Sequence, residues 1–185
     1  MAARKFVPSF KEHLVRYAFA MPFAYKRDVL DAGSKEGFGA HMLSYGANTV
    51  TLSDISQGYL DAGKKWFNFF CPVEFVQCDF NKGFPEGEWD TIVSFEVIEH
   101  VEDPDFFVKN IAEHLKPEGL FVFSTPHMVA NHEHITLFDE EKIRAVVGKH
   151  LDIVEFYVQD QQVFSGKPLY KGLKCYVGVA RKRMV

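Results

Sequence analysis

Cysteine is scarce in this chain of 185 residues: only Cys71, Cys78 and Cys175, an odd number without C-x-x-C spacing. That excludes a disulfide framework and a zinc ribbon, and it fits plain buried thiols in a reducing compartment. Long apolar runs are missing as well. The best stretch, Ala18 to Tyr25, is cut by Pro22 and bounded by Arg16 and Lys26, well short of the ~18 residues a membrane span needs. No signal peptide is visible at Met1-Ala-Ala-Arg-Lys-Phe6, so a cytoplasmic protein with no membrane segment is expected. Neither charge sign dominates. Lys and Arg number 21 against 25 Asp and Glu, a formal −4, which argues against a chain that grips nucleic acid by bulk charge. The basic tail Arg181-Lys182-Arg183 reads as a solvated end. No repeat, linker or low-complexity tract divides the chain, and its length suits one domain. What is abundant is aromatic: 19 Phe, with Phe, Trp and Tyr together 15%. That suits both a core and a pocket that stacks a flat heterocycle.

The apolar pattern alternates between strand and helix. Leu14, Tyr17, Ala18 and Met21 recur at helical spacing, predicting a helix from about Ser9 to Met21 that ends near Pro22. Strands are expected at Asp28 to Ala32, Thr49 to Ser53, Val73 to Cys78, Trp89 to Phe95 and Leu120 to Ser124. Between them the pattern places helices at Gly37 to Tyr45, at Ser56 to Phe70 with a serine N-cap, and at Pro104 to Leu115. A polar loop from Thr125 to Leu137 carries three histidines, and Asp139 then caps a further helix with Ile143, Val146 and Val147 inward. Two late strands, Ile153 to Gln159 and Leu173 to Arg181, flank a Gly/Pro loop around Ser165 to Pro168. Such alternation implies a doubly wound α/β domain with helices on both faces of a parallel sheet. Residues 1–27 form a helical cap and 28–185 the sheet core. Ligands in such folds sit beyond the carboxyl ends of the strands.

The residues at those ends are acidic. The first strand runs into Asp31-Ala-Gly33-Ser34-Lys35-Glu36-Gly37, a glycine turn that lets the backbone approach a ligand. Asp54 tips the second strand, well placed for both hydroxyls of a ribose or as the cap of the next helix. Asp79 and Phe80 follow the third, offering a carboxylate for an exocyclic amine and a ring for stacking. Glu96 ends the fourth. Like charges gathered at one sheet edge repel, and a cationic ligand would relieve that repulsion. A pyrophosphate would have to sit on a turn that holds Glu36 and faces Asp31, which disfavours a dinucleotide. Adenine, ribose, a sulfonium and an ammonium without phosphate fit better, as in S-adenosylmethionine.

Four segments then match in order: Val29-Leu30-Asp31-Ala-Gly33; Asp54-Ile55-Ser56; Asp90-Thr-Ile-Val93-Ser94-Phe95-Glu96-Val97-Ile98-Glu99-His100; and Leu115-Lys116-Pro117-Glu-Gly119 through Ser124-Thr125-Pro126. Together they resemble class I S-adenosylmethionine-dependent methyltransferases, in the small-molecule branch of quinone-biosynthesis and sugar-modifying enzymes, over roughly Phe6 to Leu151. The resemblance implies a mostly parallel, seven-stranded Rossmann-like sheet whose last strand is antiparallel. It implies S-adenosylmethionine as cofactor, with Asp31, Gly33 and Ser34 along its methionine and ribose side. Asp54 would hold the ribose hydroxyls and Ile55 would lie against adenine. Asp79 and Phe80 would meet the adenine amine and ring edge, and Glu96 would sit by the methionine moiety. Arg16 and Tyr17 resemble a segment that closes over the cofactor. Lys35 departs from the pattern, standing where the family usually has glycine, and Ser34 stands where cysteine is frequent.

Methyl transfer from a sulfonium is an in-line displacement that needs chiefly proximity. A base is required where the acceptor sheds a proton early, as a hydroxyl does, and His100, His127, His132 and His134 are the candidates. Glu96, Glu99 and His100 form an E-x-x-E-H set that could bind a divalent cation with a later loop histidine. The same run occurs in metal-free members as a helical turn with a buried His100, so no metal is assigned. The expected partner is a small-molecule acceptor with a reactive hydroxyl; neither its identity nor the oligomeric state follows from the residues. A non-catalytic methyltransferase-like binding module, suggested by Lys35, is the alternative, and a nicotinamide oxidoreductase, suggested by the glycine turn alone, comes third.

Overall fold

The computed structural model describes residues 10–130, 132–160, 163–166 and 175–183. Five runs rich in Val, Ile, Leu and Phe form parallel strands: β1 (Asp28–Ala32), β2 (Thr49–Asp54), β3 (Val73–Gln77), β4 (Trp89–Phe95) and β5 (Leu115–Pro126). Three antiparallel strands complete the sheet: β6 (Leu151–Asp160), β7 (Val163–Ser165) and β8 (Cys175–Lys182). The order is β3-β2-β1-β4-β5-β8-β6-β7. The chain winds outward from β1 in one direction through β2 and β3, then returns to β4 on its other side. The edge between β1 and β4 is therefore the switch point of the sheet.

Strand side chains alternate faces, and the core divides accordingly. Leu30, Ile92, Phe121, Phe123 and Ala180 join one buried cluster, while their neighbours Val29, Val93, Val122 and Val179 join the other. Helices α4 (Pro104–His114) and α5 (Glu140–His150) cover the first face through Phe107, Ile111, Ile143 and Val147. Helices α1 (Phe10–Ala24), α2 (Phe38–Leu43) and α3 (Gln57–Trp66) supply Tyr17, Ala20, Leu43 and Leu60 to the second. Local signals set the helix starts as the sequence suggested. The Ser56 hydroxyl caps α3, the Asp103 carboxylate accepts from the N–H groups of Asp105 and Phe106 ahead of Pro104, and Asp139 accepts from Lys142.

Four details differ from the sequence expectation. Helix α1 continues through Pro22 to Ala24. The proline forfeits one hydrogen bond near the helix end, and the last turn is retained by burial of Ala24 and by the Thr91 hydroxyl donating to the Phe23 carbonyl at 2.6 Å. The inward stripe of α1 is Arg16, Tyr17, Ala20 and Ala24, with Leu14 and Ala18 exposed. Lys116-Pro117-Glu118-Gly119 ends α4 as expected, but Leu115 already pairs with Trp89, and the ladder resumes at Thr91 and Leu120 after a bulge. The sheet has eight strands where seven were expected, because Val163–Ser165 folds back on the end of β6 as a short edge. The expected start of the last strand at Leu173 lies outside the described residues, as does Ser9. No helix among the described residues is long and apolar enough to cross a membrane.

Helix α2 meets α1 at one tight point. A Cβ built on Gly39 would lie 1.8 Å from Cζ of the Tyr17 ring. Alanine would favour the helix intrinsically by about 1 kcal/mol, but it cannot share that space. Gly39→Ala is expected to cost about 2–3 kcal/mol through overpacking, read as a lower urea midpoint. Tyr17→Ala in the same chain should recover most of that loss, since the two effects share one contact. Equal, additive losses would show that the contact is not where the strain arises.

Candidate functional site

The carboxyl ends of β1, β2 and β4 lie side by side around the switch point. Asp31 on β1 is 0% exposed, and Tyr17 from α1 donates its hydroxyl to both carboxylate oxygens at 3.1 and 3.3 Å. Burial, with the nearby Asp54 charge adding to it, raises the Asp31 carboxyl to about 7, against the opposing hydrogen bonds from Tyr17 and the Ala40 N–H.

The turn after β1 is built on left-handed backbone. Gly33 has φ +83° and Gly37 +86°, and a Cβ on Gly33 would fall 2.3 Å from Cγ2 of Val97. The N–H groups of Gly33 and Ser34 both donate to the Ser53 carbonyl, at 2.8 and 3.0 Å. Lys35 takes the left-handed conformation itself, at φ 48°, which costs a residue with Cβ about 1–2 kcal/mol. Its N–H donates to Asp54 Oδ2 at 2.9 Å, and the Ser56 N–H donates to Asp54 Oδ1 at 2.9 Å. Asp54 thus ties the glycine turn to the end of β2, and Ile55 beside it is 61% exposed. Ser34 is buried, its hydroxyl without a hydrogen-bond partner among the described residues.

The remaining predicted residues sort by position. Asp79 lies toward the β3 edge, paired with Lys82 at 2.8 Å and accepting from the Asn81 N–H. Phe80 turns its ring into the core against Phe84 and Phe107. Glu96 sits just past β4 with φ 58°. Its Oε1 accepts from the Cys175 thiol at 3.0 Å and the Ser124 hydroxyl at 3.4 Å, and lies 3.7 Å from Arg16. Sequence reasoning named Arg16 only as part of a closing helix and missed both Cys175 and Gln159. Gln159 accepts from Arg16 at 2.9 Å. These residues are 143 and 79 positions from their partners, so no local pattern could have joined them.

The four histidines separate into three environments. His127 shares a 2.7 Å hydrogen bond with the Tyr176 hydroxyl. His132 is largely exposed beside Glu133. His100 and His134 meet, ring centroids 4.8 Å apart, next to Glu99. Glu99 is 1% exposed, and burial followed by the neighbouring Glu96 charge raises its carboxyl well above the ordinary range.

Residues 30–123 match the family model described as "Methyltransferase domain". The chain belongs to this family. Its class is that of the S-adenosylmethionine-dependent methyltransferases, as the following likenesses bear out. A Mycobacterium tuberculosis (strain CDC 1551 / Oshkosh) protein named a probable S-adenosylmethionine-dependent methyltransferase is 32% identical over 121 residues, which is 65% of this chain and 43% of that one. The ubiquinone biosynthesis O-methyltransferase of Rickettsia canadensis (strain McKiel) is 23% identical over 76% of this chain and 60% of its own. The chain therefore spans about half the length of the curated relatives it matches. The N-methyltransferase NodS of Bradyrhizobium japonicum WM9, solved in complex with S-adenosyl-L-homocysteine, superposes with a TM-score of 0.73 at 16% identity, covering 99% of this chain and 94% of that one. The chain thus shares its fold with that structure.

Proposed function

We propose that this methyltransferase transfers the methyl group of S-adenosylmethionine to a hydroxyl oxygen of a small molecule. The observation that carries the reading is the acidic edge at the switch point: Asp31, Asp54 and Glu96 on adjacent strand ends, around a glycine turn whose backbone is committed to left-handed geometry. Asp31 and the Gly33–Ser34 turn take the methionine and ribose side, Asp54 the ribose hydroxyls, and Ile55 the adenine face. Asp79 and the backbone at Phe80 border the adenine amine, and Glu96 stands by the methionine end. Tyr17, seated on Asp31, closes the pocket from α1.

The sulfonium is already an activated leaving group. The chain's work is to hold the acceptor oxygen in line with the methyl carbon and to accept a proton from it. His100 and His134 meet beside Glu99, whose carboxyl feels the Glu96 charge, while His127 is held by Tyr176 and His132 faces solvent. Oxygen as acceptor is supported by the likeness to the ubiquinone biosynthesis O-methyltransferase.

Isothermal titration with S-adenosylhomocysteine is expected to give one saturable site. Asp54→Ala should weaken it on the order of 100-fold, since two charge-assisted hydrogen bonds to ribose are lost. No heat at millimolar ligand would discard the reading. The rival reading, a binding module without catalysis, is motivated by Lys35 and by the short chain without an inserted lid. Lys35 is accommodated in the turn and anchors it to Asp54, and methyl incorporation lost in Asp54→Ala would eliminate the rival.

A further inference from the structure

We propose that the amino edge of the sheet, opposite the cofactor pocket, is a face that rests on the anionic headgroups of a lipid bilayer. Three turns meet there: 25–27 before β1, 44–48 before β2 and 67–72 before β3. These strands are neighbours in the sheet, so the turns lie within about 10 Å of one another, two strand spacings. They hold large rings out of the core. Tyr25 and Tyr45 are each 60% exposed, Phe70 is 59% exposed, and Trp66 at the end of α3 is 64% exposed. Single exposed apolar side chains are ordinary on a protein surface, but four rings gathered at one edge mark an interaction site.

A fixed scaffold presents these rings. The Lys26 N–H donates to the Gly46 carbonyl at 2.7 Å, and the Asn48 side-chain amide donates to the Lys26 carbonyl at 3.0 Å. The Phe70 N–H donates to the Ser44 hydroxyl at 3.1 Å, and His41 Nδ1–H to the Asn68 carbonyl at 2.7 Å. Within this frame Tyr45 stacks on Phe70, ring centroids 4.1 Å apart. Tyr25 packs against Gly46, where an added Cβ would lie 3.0 Å from its Cδ2.

Charge decides what such a face would meet. Lys26, Lys64 and Lys65 are exposed beside the rings, in a chain whose formal charge is −4. Asp61 already lies 3.7 Å from Lys64. A second copy docked through this face by two-fold symmetry would bring the same lysines toward one another. A nucleic-acid strand would want separate ring faces for successive bases, whereas Tyr45 and Phe70 cover each other. Anionic headgroups suit both features. Tyr and Trp settle at headgroup level with the apolar body inward and the polar tip in water, and lysines reach the phosphates. Such contact lies on a bilayer without spanning it, and no described helix is long and apolar enough to cross. The pocket at the carboxyl ends of the strands then faces away from the lipid.

The chain has two tryptophans, and Trp89 is only 6% exposed, so a change in emission on binding reports Trp66. The full chain mixed with vesicles of equal parts phosphatidylglycerol and phosphatidylcholine at low salt is expected to co-sediment and to shift its emission to shorter wavelength. Phosphatidylcholine alone should do neither, and added salt should release the protein. Trp66→Phe should still sediment but lose the shift. Lys64→Gln with Lys65→Gln should weaken binding roughly 30-fold, and Tyr45→Ser with Phe70→Ser should abolish it, with circular dichroism confirming the fold. Failure of the wild type to sediment with anionic vesicles, a shift that survives Trp66→Phe, or unaltered binding by the lysine or ring variants overturns the proposal. So does a wild-type dimer in analytical ultracentrifugation that the ring variant abolishes, since the face would then join protein to protein. Vesicle binding by a chain that does not bind S-adenosylhomocysteine would sink the functional reading and leave the lipid face standing.

Discussion

Asp31→Asn is expected to stabilise the ligand-free protein and to ruin it as a methyltransferase. The carboxyl is fully buried and is raised from 3.8 to about 7, chiefly by burial. Below the unfolded value both states hold the proton, and the group contributes nothing to the pH dependence. Between about pH 4 and 7 the unfolded chain ionises while the folded one retains its proton, so stability falls as pH rises. Above about 7 the folded state ionises too, and the penalty levels at about 4 kcal/mol. Asparagine keeps the shape and removes the charge. Urea unfolding should therefore show Asp31→Asn more stable than wild type by up to about 4 kcal/mol at pH 8, with the difference vanishing toward pH 4. An equal difference at both values would show that Asp31 does not titrate as a buried group.

The same carboxylate is what the proposed cofactor needs. An ammonium approaching Asp31 favours its ionised form, so binding should release a proton when the pH is below about 7. Affinity for S-adenosylhomocysteine is then expected to rise with pH and flatten above about 7. Calorimetry in two buffers of different ionisation enthalpy reads the proton directly. Buried Asp31, strained Lys35 and left-handed Glu96 lie along one sheet edge, and the ligand-free protein accepts a stability cost at the place where the ligand would offset it.

Much of this architecture was legible because its causes are local. Strands β1, β2 and β4 are short apolar runs ended by polar turns, and three helices begin at Ser56, Asp103 and Asp139, where the side chain itself caps the helix. The acids at the strand ends were legible for the same reason, since strand and turn together fix where the next residue lies. Where tertiary packing overrides local preference, the reading failed. Pro22 looks like a stop, but the buried end of α1 and the Thr91 hydrogen bond carry the helix past it. Phe80 looks like a ring for a ligand, yet Phe84 and Phe107 hold it in the core. The candidate bases looked equivalent as four histidines near one loop. Only the fold shows that His100 and His134 meet over Glu99 while His127 pairs with Tyr176.

The second large effect concerns the cation buried beneath this edge. Arg16 is 1% exposed, and it joins three elements: it donates to Gln159 of β6 at 2.9 Å and to His13 Nδ1 at 3.1 Å, and lies 3.7 Å from Glu96 past β4. Burial opposes its charge, but the acidic groups around it, Cys175 and Glu96 foremost, raise its value above the ordinary arginine. Arg16→Ala removes the positive partner and leaves the carboxylates facing one another. Breaking a buried pair from one side costs about 3–5 kcal/mol, and Arg16→Met should recover only the part due to the aliphatic stem. Lysine is not expected to substitute, because one ammonium cannot reproduce a planar fork that serves Gln159 and His13 together. His13 supplies a readout that a simple loss of packing would not move. It is lowered to about 3, first by burial and then by Arg16 and Lys35, so it stays neutral and accepts the arginine's hydrogen bond. In folded Arg16→Met the imidazole should titrate at a higher pH by NMR, while remaining below 6.5 because burial, the larger cause, persists. An unchanged His13 titration alongside the loss of stability would place the role of Arg16 in packing alone, and the charge network linking α1 to Glu96 would have to be abandoned.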